Sequence, residues 1–352
     1  MSLPFLQQYT GLGNSLQTAQ GGAAGVGGWV ELARTTLGGT SDTITVSSLA
    51  NKRYYMLLTD NRPSGNLNVG HRAGNSSIDT GSNYAKRPSI NGATDLTHTS
   101  QNNFIETDGL NHTDNMFSVN YLTNLASKEK LGLGHCVRQN TAGATNAPNR
   151  TEYVGKWTNT SNVIDTLQTI NFGSGDLASG SELVVLGWDP ADIHTTNFWE
   201  ELASVEGDGT STTISSGTIT AKKYLWVQAF TNASTQNTGF QFNNDTAGNY
   251  SIRRSSSGAA DATDTSIAYV EASDTSKAFT NMFIVNNSAN EKLCIGHTVH
   301  NATAGAGTAP TRNEVVGKWA NTSAQITEID YMQQTTSVNF PSGSILKVWG
   351  SD

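Results

Sequence analysis

The chain has 352 residues, the length of about two ordinary domains, and carries a formal net charge of −8 with only 14% of its residues charged. It has no Lys/Arg run longer than pairs such as Lys222-Lys223 and Arg253-Arg254, which excludes a phosphate-neutralising nucleic-acid binder. No apolar run approaches the roughly 18 residues that cross a bilayer as a helix, so a membrane is not an expected partner either.

In chain order, residues 1–28 come first. Leu3, Pro4, Phe5, Leu6 and Tyr9 are followed by a Gly/Ala-rich stretch ending at Gly28. There is no basic segment followed by an apolar one, so this stretch does not read as a secretory signal. It is expected to be an extended arm, ordered only where it lies against another surface, such as a neighbouring subunit.

From Trp29 onward the sequence is written twice. "WVELA" at Trp29 is answered by "WEELA" at Trp199, and "KRYYMLLTDN" at Lys52 by "KKYLWVQAFTN" at Lys222, both 170 residues on. "TGSNYAKRPSINGATD" at Thr80 returns as "TAGNYSIRRSSSGAAD" at Thr246, an offset of 166. "EKLGLGH" at Glu129 returns as "EKLCIGH" at Glu291, an offset of 162, and "SGSELVVLG" at Ser179 as "SGSILKVWG" at Ser342, an offset of 163. The longest echo aligns Thr141–Ser161 with Thr303–Ser323 at 15 of 21 positions without a gap. The order is kept and the offset drifts slowly, as small loop deletions would make it. One domain of residues 29–189 is therefore duplicated in 199–352, joined by a linker over 190–198.

Gly, Ser, Thr and Asn are abundant, which disfavours helices and suits strands joined by turns. "RYYMLLTD" and "KYLWVQAF" are apolar runs of strand length, "MFSVNYLT" and "NLNVGHR" alternate, and "ELVVLGW" and "ILKVWGS" close the copies. About eight to ten strands are expected in each copy, which predicts an all-β protein of two tandem jelly-roll-like β-sandwiches preceded by an extended arm.

Within the longest echo, "TAGAGTAPT" reads as a loop and "RNEVVGKW" as the strand after it. Alternation puts Arg312, Glu314, Val316 and Lys318 on one face and Val315 and Trp319 on the other. The first copy repeats this with Arg150, Glu152, Val154 and Lys156 against Tyr153 and Trp157. Tyr153, Trp157, Val315 and Trp319 are predicted core. Arg150, Glu152, Lys156, Arg312, Glu314 and Lys318 are predicted to form a solvated polar face.

The chain holds no G-x-S-x-G elbow, no H-E-x-x-H, no C-x-x-C and no P-loop, so neither hydrolase, zinc nor nucleotide chemistry is indicated, and no cofactor or metal is expected. His135 and His297 recur in "LGLGH" and "LCIGH" without an acid or nucleophile at fixed sequence spacing, and read as structural or surface residues. Glu152/Glu314 and Glu129/Glu291 recur once per copy, which suits a shared fold better than a glycosidase acid pair. Asn243, Asn244 and Asp245 cluster as calcium ligands do, with Asp79 their counterpart, but read first as a turn. Cys136 aligns with Thr298, so Cys136 and Cys294 are not a duplicated pair, and a buried free thiol in each half is expected.

"FNNDTAGNYSIRRSSSGAADATDTS", "EKLCIGHTVHNATAGAGTAPTRNEVVGKWANTS" and "SGSELVVLGWD" resemble β-rich virion structural proteins of tailed bacteriophages. That resemblance implies a non-enzymatic capsid-decoration, spike or tail-associated protein, assembled in the host cytoplasm into the virion. Other virion proteins, further copies of itself and a host glycan are then the expected partners. The compact duplication, without heptads or a long fibrous repeat, argues against a shaft-like fibre, and a double jelly-roll capsid protein is the weaker variant. If the protein instead binds glycans, Trp188 and Trp349 are the candidate platforms, while Trp226, in an apolar strand, reads as core.

Overall fold

The computed structural model describes residues 28–106, 112–192, 196–233, 236–272, 276–301, 303–334 and 338–352. The arm residues Leu3, Pro4, Phe5, Leu6 and Tyr9 lie outside them. The described residues form two β-sandwiches and no helix, as the composition predicts. In the first, an eight-stranded antiparallel sheet runs in the order Val30–Thr36, Glu182–Trp188, Tyr54–Asn61, Met116–Thr123, Lys130–Arg138, Asn149–Trp157, Tyr84–Ile90, His98–Gln101. The second repeats that order with Glu200–Glu206, Ile345–Ser351, Tyr224–Thr231, Ala278–Val285, Lys292–His300, Thr311–Trp319, Tyr250–Ser256 and Ala262–Ile267. Even the bulge in the first strand recurs, at Glu31/Ala33 and at Glu201/Ala203. A smaller sheet covers one face of each large sheet. It is built on Thr43–Val46, Thr166–Asn171 and Val69–Asn75 in the first copy, and on Thr213–Ser215, Ile329–Gln333 and Thr238–Phe242 in the second.

Each sandwich closes its own core. Tyr153 and Trp157 face the first core, and Val315 and Trp319 the second, as the alternation predicts. Trp157 Nε1 donates to Asp79 at 2.8 Å and Trp319 Nε1 to Asp245 at 2.7 Å. These two aspartates also accept from the backbone two residues on, Gly81 and Ala247, and from Asn83 and Asn249. The D-T-x-x-N-Y phrase is thus a turn clamped to a core tryptophan rather than a calcium loop. Lys130 and Lys292 are wholly buried, their ammonium groups donating to two backbone carbonyls each and lying over the Trp157 and Trp319 rings. Cys136 and Cys294 are free and buried, one in each core.

A third apolar cluster joins the copies, because the outer faces of the two large sheets pack on each other. Met56, Leu58, Phe117, Val119, Val137 and Val184 come from the first copy. Tyr224, Phe283, Val285, Leu293, Ile295 and Val316 come from the second. The molecule is four sheets deep, small–large–large–small. Phe198 and Trp199, at the end of the linker, fill the joint from the side.

Candidate functional site

Two places gather chemistry. The first is the polar centre of the joint between the copies. Outward positions on Lys130–Arg138 and Lys292–His300 bring His135 and His297 edge to face, with ring centroids 4.3 Å apart. The neighbouring strands add Arg150 and Glu152 opposite Glu314. The Arg150 guanidinium donates to Asp261 at 2.7 and 3.0 Å, to Glu314 at 3.1 Å and to Glu152. His135 Nδ1 lies 3.9 Å from Glu152.

Burial governs the protonation here. It pushes His135 down to about 4 and His297 down to about 3, so both imidazoles are neutral at pH 7. Burial also pushes Glu152 up to about 7, against the pull of Arg150 and helped by the Glu314 carboxylate beside it. The two glutamates are in hydrogen-bonding contact, closer than the roughly 5–9 Å that separates a glycosidase pair. Ligand atoms of His135, Glu152 and His297 lie within 4.8 Å of one another, a donor set of the zinc type. Arg150, however, already supplies the positive charge these carboxylates take. The cavity among these groups is about 10 Å³, room for roughly one water and no substrate.

The predicted solvated polar face is therefore corrected. Arg150, Glu314 and Lys318 are buried, because the outer faces of the sheets cover each other. Lys318 donates to the carbonyls of Gln139 and Thr141 in the first copy at 3.1 and 2.6 Å, and lies 3.4 Å from Glu291. Of the six, Arg312 stays exposed as expected, and Glu152 and Lys156, the counterpart of Lys318 paired with Glu129 at 2.8 Å, are half-buried.

The second place is a groove of about 800 Å³ on the outer face of the first large sheet. Trp29, Tyr54, Tyr121 and Trp188 wall one side, and Leu131, Leu133 and Val154 floor it. Tyr54 stacks on Trp188 at 5.4 Å, and Trp29 touches Trp188 and Tyr121 at 6.4 and 6.3 Å. Arg87, His98 and Lys156 rim it, while the Lys86 ammonium turns inward and donates to Asn103 at 2.8 Å. Trp188 thus lines an open groove, whereas Trp349 offers no platform: it is buried in the joint, 5.1 Å from Trp226. Trp226 is half-buried in the same joint rather than in a sandwich core. The sequence carried one sign of the groove: Leu131, Leu133 and Val154 in "KLGLGH" and "EYVGK" are apolar at outward positions, while Lys130, Gly132, Gly134 and Tyr153 between them turn inward.

No family model and no curated protein matches this sequence. Among solved structures, it is similar to domains LG4-5 of the mouse laminin alpha1 chain at 11% identity and a TM-score of 0.19, over 94% of this chain and 92% of that one. The LG1-3 region of the laminin alpha2 chain gives 10% and 0.20, over 88% and 64%. The subviral particle of infectious bursal disease virus VP2 gives 10% and 0.11, over 99% and 85%.

Proposed function

We propose that this chain is a non-enzymatic structural protein of a virion, of the capsid-decoration, spike or tail-associated kind, and that the groove on its first sandwich is a docking face. The observation that carries the reading is the contrast between the two sites. The groups suited to catalysis, two imidazoles and two glutamates, are drawn together around Arg150 at the joint, Glu314 buried and the other three half-buried, with a cavity of only about 10 Å³ among them. The large open feature is apolar and walled by aromatic rings, the chemistry of a surface that another surface covers. The phage-like phrasing of the sequence supports the virion setting. Immunogold labelling of purified particles of the encoding phage tests it: label at a fixed position on the particle supports the role, and recovery only from the soluble fraction overturns it.

One observation favours a second reading, a host-glycan receptor. The Tyr54–Trp188 stack with Trp29 beside it and Arg87, His98 and Lys156 on the rim makes an aromatic wall with polar neighbours. A glycan array probed with the wild-type chain and Trp188→Ala decides it: signal lost in the variant supports sugar binding, and silence from the wild-type chain removes it.

A further inference from the structure

The two copies are not joined symmetrically. Had a two-fold axis related them, equivalent residues would be equally covered. Along Lys130–Arg138 and its counterpart Lys292–His300, exposure instead switches over at the histidine pair. Leu131 is 56% exposed and its equivalent Leu293 1%, and Leu133 is 48% against 3% for Ile295. Beyond the histidines the order reverses, with Val137 at 0% and Val299 at 45%. The adjacent strand agrees, since Phe117 is 1% exposed and Phe279 is 42%. One end of the first sheet therefore packs on the opposite end of the second. The unused end of the first sheet is the groove, and the unused end of the second bears Phe279 and Val299.

The loop that seals the joint is also duplicated. Residues 141–148 of the first copy reach across to the second. The Gly143 amide donates to Glu291, and the Ser266 amide donates to the Ala144 carbonyl at 2.9 Å. Arg253 donates to the Pro148 carbonyl at 2.8 Å. The equivalent loop, 303–310, is exposed. It holds the same backbone shape, with Gly305 at φ +94° where Gly143 has +90°, a left-handed turn that glycine adopts freely. The receiving groups are repeated too. Glu129, Ser100 and Arg87 stand on the first copy where Glu291, Ser266 and Arg253 stand on the second, and Ser100 and Ser266 share a left-handed backbone at φ +52° and +53°.

We propose that the groove of the first sandwich is an unfilled repeat of the chain's internal joint and takes the free outer face and the 303–310 loop of the second sandwich of another copy of this chain, so that copies associate head to tail. Charge agrees with that occupant. Arg150 finds Asp261 across the internal joint, and the free face and the groove's sandwich carry their exposed equivalents, Arg312 and Asp95. Because such an interface is heterologous, it closes into a ring or runs on as a filament. The free face is more polar than its buried counterpart, with Gln228, Asn281 and Lys347 replacing Leu58, Val119 and Val184, which makes the contact between chains weaker than the one within a chain.

This inference rests on the groove being a docking face and names what docks. Analytical ultracentrifugation of the full chain across a concentration series is expected to show association beyond one chain's mass. Val154→Glu blocks the groove and Val299→Glu blocks the free face, both at exposed positions, and each alone is expected to give monomer with unchanged melting. Leu133→Lys and Phe279→Lys serve as a second pair should either first variant misfold. Mixing V154E with V299E is expected to restore a species of two chains and no more, since one intact groove and one intact face remain. Three results overturn the proposal: a wild-type chain that stays monomeric, assembly that V154E abolishes and V299E leaves intact, or a mixture that does not recover. Immunogold labelling reads the virion role separately, so a monomeric chain found on particles overturns self-docking alone.

Discussion

Arg150 and Arg312 occupy the same position in the two copies and the same place in the same phrase, which makes them each other's control. Arg150 is buried and holds three carboxylates: Asp261 and Glu314 from the second copy, and Glu152 from its own strand. Arg312 has 61% of its side chain exposed and, among the described residues, pairs with Glu314 at 3.3 Å. Replacing a buried cation leaves its partners charged and desolvated, a loss of about 3–5 kcal/mol. An exposed pair contributes about 0–1 kcal/mol. Arg150→Met keeps most of the volume and is expected to lose the larger amount at pH 8, and Arg312→Met the smaller. Urea unfolding followed by tryptophan fluorescence measures both. The sign of the pH effect follows from Glu152, whose carboxyl already sits at about 7 in the fold against 4.5 unfolded. A carboxyl raised in the fold binds its proton first in the folded state, so falling pH stabilises between those two values. Removing Arg150 takes away the charge that pulls this carboxyl down, so the variant's Glu152 takes up its proton at higher pH than the wild type's, and the deficit of Arg150→Met should shrink as pH falls from 8 towards 5. Equal losses at the two arginines, or a deficit that grows with acid, would refute the reasoning.

His71 and His112 are buried and held neutral, at about 3 and about 4. The unfolded chain takes up those protons below about pH 6.5, so stability is lost as pH falls from there, at about 1.4 kcal/mol per pH unit for each histidine. His71→Gln should remove one such contribution from the slope of urea stability against pH, and an unchanged slope counts against it. Asp79→Ala and Asp245→Ala each orphan a core indole N–H and should cost about 1–3 kcal/mol, nearly alike because the clamp is repeated; calorimetry reads both. Cys136 and Cys294 should resist a thiol reagent in the native protein and both react in denaturant, and fast labelling of either before unfolding would contradict the cores described above.

The sandwiches were legible in the sequence because a sheet's inner face writes itself plainly. Tyr153, Trp157, Val315 and Trp319 alternate with polar residues, and the duplication fixed which phrases belong to the fold. The strands among the described residues outnumber the expected eight to ten per copy, in part because two-residue segments such as Ser77–Ile78 and Val270–Glu271 complete the small sheets without an apolar pattern of their own. The joint was not legible. "NRTEYVGKW" and "TRNEVVGKW" present the same charges outward, yet docking buries Arg150 but not Arg312, and Lys318 but not Lys156. No local pattern separates those fates, since the environment is set by a partner sheet some 160 residues away in the chain. Lys130 and Lys292 were missed as core for a related reason: their cost is relieved by carbonyls from a distant loop, Asn159 and Asn321.

The buried charges then have a role that burial area alone would not supply. An apolar joint between two sheets is tolerant of sliding, because the next outward position on a strand is another side chain about 6.6 Å along. A slip of that size would carry Arg150 away from Glu314 and against Val316, and would strip Asp261 of its partner. The cost of an unpaired buried ion, several kcal/mol, falls on every register but one. Arg150, with the acids around it, thus fixes where the first sheet stops on the second, and so fixes which end of each face is left bare. The groove and the exposed Val299 face follow from that stop. A joint made of Leu and Val alone could centre itself and cover both.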